Sequence, residues 1–221
     1  MRASAGRARV LILVQNTSLP NDRRVWLEAT TLVSEQFDVA GICPKLGGLK
    51  RSRERIDGIT VHRYRLPINA TGSLGFVAES IWCFLASAAL VLRIGLVGAG
   101  YDILHICNPP EVYWPLAFVS RLCGKRVVFD HHDLSPEMYR AKFGNGGRVV
   151  FTALRLFERL TFRAADVVLA TNESYREVAT TRGRRAYDDV YLVRSGPPVE
   201  RLQEHPPDPS VRNGKLSLIH I

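Results

Sequence analysis

A doubly wound α/β fold with a mainly parallel, Rossmann-like sheet is what the sequence predicts, on three observations. Short runs rich in Val, Ile and Leu alternate with longer helix-like segments. Most of these runs are continuously apolar, as strands covered by helices on both faces should be. The order run, helix, run repeats over about the first 200 residues, which makes right-handed βα units the simplest connection.

The elements follow in order. Residues 9–14 form a first strand, and Asn21 or Asp22 caps a helix over 22–34. Arg23 and Arg24 in its first turn oppose the helix dipole, so one of them is expected to face an anion or a carboxylate. Strands at 37–43 and 60–65 precede a long apolar helix at 76–97. Then come strand 103–106, helix 112–122, strand 126–129, helix 149–164, strand 167–170, helix 172–181 and strand 190–193, making seven strands and five helices. Asp133 or Ser135 is placed to cap a further helix with Pro136 in its first position. Beyond Pro198 the chain turns rich in proline and poor in apolar residues. Residues 1–202 are therefore expected to form one Rossmann-like domain, and 203–221 a linker and truncated tail, loosely attached. The loops at 15–22 and 138–148 are expected to be mobile.

Composition narrows the function classes. The chain has 221 residues, 46% hydrophobic and 23% charged, which excludes wholesale disorder. Cys43, Cys83, Cys107 and Cys123 lie far apart, so neither a disulfide framework nor a zinc ribbon is indicated, and a reducing cytoplasm is the plain reading. The formal net charge of +9 favours an anionic partner. Nucleic acid is not expected, because no helix-turn-helix, RNP or zinc pattern aims the basic residues. The apolar stretch at 76–100 is interrupted by Glu79 and Arg93, too closely spaced for a spanning helix, so a buried core helix is expected. The alternative is a helix lying on the inner face of an anionic membrane.

In an open α/β sheet, ligands bind beyond the carboxyl ends of the strands. The loop after the first strand, which holds Asn16 and Thr17, contains no glycine, so neither a dinucleotide fingerprint nor a P-loop is present. Beyond strand 126–129 a cluster of His131, His132, Asp133 and Glu137 lies at the strand's carboxyl end. Imidazole beside carboxylates suits acid/base or polar catalysis. A metal held by His105, His131, His132 and Asp133 is the weaker alternative, since adjacent residues on extended backbone point apart. Packing is the expected role of His131, although it is kept among the candidate binding residues with Arg23, Asp133 and Ser195.

In this order the chain resembles the amino-terminal domain of retaining GT-B glycosyltransferases of the family 4-like type. The resemblance runs from about residue 10 to 202. It rests on the helix start Asn21 to Glu28, on Tyr101 to Ile106, on Val128 to Glu137, on Ala165 to Ser174, and on Val193 to Pro198 before a linker. The resemblance implies two facing Rossmann-like domains, of which the carboxyl-terminal one, absent here, binds a UDP- or GDP-linked sugar, with no metal required. It implies His132 over the transferred sugar, with Glu137 as its orienting carboxylate. It also implies Asn16 and Thr17 near the diphosphate, and Asn108, Glu111 and Glu173 bordering the pocket of a glycan or lipid-linked acceptor. Where many members carry Asn-Gly-Val-Asp, this sequence reads Ser195-Gly196-Pro197-Pro198. A sugar-nucleotide 2-epimerase of the same fold, or a non-catalytic binding domain, are the alternatives.

Overall fold

In the computed structural model, which describes residues 7–67, 72–109, 111–144, 147–194 and 196, one eight-stranded sheet organises the chain. Its strands are β1 (Arg9–Leu13), β2 (Asp38–Pro44), β3 (Arg53–Ile56), β4 (Ile59–Tyr64), β5 (Ile103–Cys107), β6 (Arg126–His131), β7 (Val167–Ala170) and β8 (Val190–Leu192). The α-helices are α1 (Arg23–Ser34), α2 (Gly72–Leu96), α3 (Trp114–Leu122), α4 (Ser135–Phe143), α5 (Arg148–Ala164) and α6 (Glu173–Thr181).

The strand order is β3-β4-β2-β1-β5-β6-β7-β8, and every pairing is parallel except that of β3 with β4. From β1 the chain builds outward through β2 and β4; α2 then carries it back to lay β5 along the other side of β1. That reversal makes β1/β5 the switch point, outside whose carboxyl ends open α/β sheets bind their ligands. Successive side chains of a strand face opposite sides, so β1 feeds two cores. Leu11 and Leu13 join Leu104, Ile106 and Phe129 beneath α2, α3 and α5, while Val10, Ile12 and Val14 pack with Val25 and Ala29 of α1.

Four expectations are corrected. First, an eighth strand, β3, joins the sheet. Its sequence Arg-Glu-Arg-Ile is too charged to register as an apolar run, but charge suits an edge strand that must not recruit another edge. The turn into β4 is Asp57-Gly58, both at positive φ (48° and 83°), the hairpin geometry that this dipeptide favours. Second, residues expected in a mobile loop at 138–148 belong in part to α4, with Pro136 in its first turn. Third, the loop after β1 is anchored. The Ser18 hydroxyl donates to the Pro44 carbonyl and accepts from Leu46 N at 2.8 Å, and buried Arg63 donates to the Leu19 carbonyl at 2.8 Å. Leu19 fills the space that a side chain at position 41 would need, so Gly41 in β2 is the seat of this loop. Fourth, α2 is not a core helix. Only 22% of its apolar window is buried, because its inner face is a narrow row that includes Ser80, Cys83, Ser87 and Val91. The tail at 203–221 lies outside the described residues.

Candidate functional site

The site follows from two-residue periodicity at the end of β6. Asp130 points to the α1 side of the sheet, and His132, two residues on, returns to that side. His132 Nδ1 lies 2.8 Å from Asp130 Oδ2. The Asp130 side chain is fully buried and that of His132 is 11% exposed, so the imidazole is fixed from below while an edge stays open beyond the carboxyl end of β6. Arg24, on the first buried turn of α1, grips the same carboxylate through Nε at 3.2 Å and Nη2 at 2.8 Å. Its Nη1 donates to the Val193 carbonyl at 2.7 Å, which ties α1 to the exit of β8. The arginine in α1 that faces a carboxylate is thus Arg24. Asp22 caps the helix by accepting from Val25 N at 3.1 Å, and Asn21 is not the cap.

Charge and burial oppose each other in this cluster. Burial pushes the Asp130 carboxyl up, but hydrogen bonds from His132 and Arg24 outweigh it and hold the group well below the usual carboxylate range. Burial lowers the basicity of His132, yet its bond to Asp130 prevails and raises its pKa above the ordinary value. Glu28, one turn after Arg24, is pushed up to about 8, by burial first and then by the neighbouring Asp130 charge. Arg24 Nη2 approaches Glu28 within 3.1 Å, but neither Glu28 oxygen receives a hydrogen bond from the described residues. Desolvation therefore prevails, and Glu28 holds its proton near neutrality.

A linkage prediction follows. Unfolded Glu28 loses its proton near its ordinary value of 4.5, whereas the folded protein keeps it to about 8. Between these values the folded state binds more protons, so this group makes stability fall as pH rises. Glu28→Gln carries no such proton. Its melting temperature relative to the parent should be higher at about pH 8.5 than at about pH 5; an equal difference at both would show Glu28 to be ionised throughout.

Asn108 and Glu111, expected to border an acceptor pocket, are both buried and hold the site loop in place. Asn108 Oδ1 accepts from the backbone amides of His132 (2.9 Å) and Asp133 (3.1 Å). Its Nδ2 donates to the Asp133 carbonyl (2.5 Å) and to Glu111 Oε1 (2.8 Å). Glu111 also accepts from Ser135 Oγ at 2.7 Å, and burial pushes its pKa up to about 7 despite these donors. One buried amide thus sets the backbone that presents His132. Asn108→Ala should speed hydrogen exchange at the His132 and Asp133 amides at least about tenfold while the centre of β6 stays protected; unchanged rates would remove Asn108 from this role.

The remaining expected residues divide. His131 faces the opposite side, fully buried among Phe129, Phe162 and Tyr175, with Nε2 3.3 Å from Glu158. It does not reach the surface. Glu137 does not orient His132, because α4 turns it to Arg182, which donates to it at 2.5 and 3.3 Å and also to Glu158 at 2.7 Å. The orienting carboxylate is Asp130. Asn16 is exposed and Thr17 half-buried just beyond β1, and Asp133 is half-buried beside His132. Arg23 is exposed on the first turn of α1, and Glu173 is exposed at the start of α6 with Arg176 at 3.3 Å. Ser195 lies outside the described residues.

Sequence reasoning passed over Asp130 and Glu28. The signal for Asp130 was its spacing of two from His132 on an extended segment; Glu28 carried none, since one helical turn from Arg24 is also an ordinary surface pair. His105, Cys107 and Asp130 bring potential ligand atoms within 4.8 Å of one another. Burial pushes the Cys107 thiol up, and Asp130 is already paired with Arg24. The four earlier ligand candidates do not converge, because His131 is on the other face.

The family model described as glycosyl transferase 4-like domain matches residues 22–203. Sucrose-phosphate synthase from Thermosynechococcus elongatus is similar over 88% of this chain and 49% of that one, with a TM-score of 0.61 at 12% identity. A Listeria monocytogenes protein described as a UDP-N-acetylglucosamine 2-epimerase is similar over 84% of this chain and 45% of its own, with a TM-score of 0.52 at 11% identity. At such identities the likeness is one of fold, and the chain spans about half the length of these solved chains. No curated protein gives a significant match.

Proposed function

Because the chain belongs to the glycosyl transferase 4-like domain family, we propose that it is the acceptor-side half of a cytoplasmic, nucleotide-sugar-dependent glycosyltransferase that retains anomeric configuration. The supporting observation is the His132 imidazole, anchored on buried Asp130 with one edge open at the carboxyl-terminal pole of the sheet. In this reading the donor is a UDP- or GDP-linked sugar and the acceptor a glycan end or a lipid-linked carrier. Nδ1 is committed to Asp130, so Nε2 of the imidazolium donates to a hydroxyl of the transferred sugar. Asn16 and Thr17 border the diphosphate, and Asp133 and Glu173 the acceptor. Arg24 and Asn108 act one layer back, holding Asp130 and the site loop so that little reorganisation accompanies the reaction. Catalysis is positioning together with electrostatic help to the departing nucleoside diphosphate, with no metal required.

The test uses the natural full-length protein with a panel of UDP- and GDP-sugars, in the presence and absence of lipid-linked and soluble glycan acceptors. Nucleoside diphosphate release should require acceptor, and NMR of the product should show the anomeric configuration of the donor. An inverted linkage would overturn retention. Free sugar formed without acceptor would overturn transfer in favour of 2-epimerisation.

A further inference from the structure

The segment Leu74–Leu96 is apolar and long enough to cross a membrane, yet it lies along a soluble sheet with most of its surface uncovered. It is apolar on both sides. A surface helix of a globular protein turns apolar residues inward and polar ones outward. In α2 the buried row is Ser80, Cys83, Ser87 and Val91, with Phe84, Leu90 and Ile94 packed partly against the core, yet the outward side is apolar as well. The outward row, at the helical spacing of three and four, is Leu74, Ala78, Ile81, Leu85, Ala89, Leu92 and Leu96, all exposed. Two hydrogen bonds hold the helix in this rotation. Ser87 Oγ lies 3.1 Å from the hydroxyl of fully buried Tyr113, and Trp82 Nε1 donates to the Arg65 carbonyl at 2.8 Å. The helix cannot turn its leucines into the protein without breaking both.

Charge identifies what covers the row. Beside the carboxyl-terminal end of α2, a pocket of about 590 Å3 opens between that helix and the β3–β4 hairpin, at the amino-terminal pole of the sheet and so at the opposite end from His132. Arg53, Arg55 and Arg93 line it, all exposed and without carboxylate partners among the described residues. Their field is felt at His62 on the pocket wall, where burial first, and then Arg53 and Arg93, depress the imidazole. Leu90, Ile94 and Val97 form the apolar side of the same pocket. An apolar row flanked by unneutralised guanidiniums matches a surface that is hydrocarbon inside and phosphate outside.

We propose that the outward row of α2 lies in the surface of an anionic phospholipid bilayer, with Arg53, Arg55 and Arg93 taking lipid phosphates at its edge. This docking surface is independent of the transferase reading. The helix is held parallel to the sheet, so it rests in the interface and does not span.

The test is co-flotation of the 221-residue chain with vesicles of phosphatidylcholine alone and of phosphatidylcholine with one quarter phosphatidylglycerol, at low and high salt. The comparison variants are Ile81→Ser/Leu85→Ser/Leu92→Ser and Arg53→Glu/Arg93→Glu, at exposed positions where folding is retained; circular dichroism verifies this. Binding to the anionic vesicles should exceed that to the neutral ones at least tenfold, weaken with salt, and fall about tenfold or more in each variant. Absence of binding by the parent chain at low salt would overturn the proposal. So would equal binding by the folded serine variant, resistance of the bound protein to alkaline carbonate, which marks a spanning helix, or a self-associated parent that the serine variant makes monomeric without any vesicle binding, which would assign the row to a second copy.

Discussion

Replacing His132 with alanine is expected to lower turnover of the full-length enzyme about a hundredfold or more, with a much smaller change in KM. Its Nδ1 is held at 2.8 Å by a carboxylate with no solvent exposure, so the ring has one orientation and one edge free to act. That bond also keeps the imidazole protonated above its ordinary range. If the imidazolium is the working form, the rate should fall on the alkaline side as His132 loses its proton. Asp130→Asn removes the charge that sustains it, and should move that limb to lower pH while reducing turnover. An unchanged rate for His132→Ala, or an alkaline limb unmoved in Asp130→Asn, would take the pair out of the mechanism.

Arg24→Leu should destabilise the chain by about 3–5 kcal/mol, since it leaves a buried carboxylate with half of its partners. Among the described residues, Arg24 ties together Asp130 below the site, Glu28 on its own helix and the Val193 carbonyl at the exit of β8. The side chains of Arg24 and Asp130 are 12% and 0% exposed, so solvent screens the pair little. Urea unfolding should show a lower midpoint with an unchanged slope. The double variant Arg24→Leu/Asp130→Asn should recover much of the loss, because the uncompensated charge is gone. A single variant as stable as the parent would mean that Asp130 is neutralised by His132 alone.

Much of the scaffold was legible in one dimension. Strands buried on both faces must be continuously apolar, so seven of the eight declared themselves within a residue or two of their ends. β3 escaped because an edge strand is under the opposite pressure, toward charge, and only the Asp57-Gly58 turn marked it. α2 misled for a related reason: an apolar helix is ordinarily a core helix, and composition carries no information on which side the core lies.

The site was legible in residue type and blurred in role. The loops that carry Asn16, Thr17, His132 and Asp133 could be placed at the carboxyl ends of the strands because βα order alone puts them there. Which carboxylate serves His132 depends on the pleat: extended backbone returns a side chain to the same face after two residues, so Asp130 meets the ring, while α4 winds Glu137 away to Arg182. The same alternation buries His131 against α5. Asn108 and Glu111 became struts of the site loop instead of pocket walls because β5 and β6 are neighbours, which brings two loops distant in sequence into hydrogen-bond range. Local composition and periodicity thus determined the fold class and the pole that holds the candidate site. The partners of each charge, the buried state of Glu28 and the outward turn of α2 were decided only by tertiary packing, since burial and neighbour identity are properties of the assembled sheet.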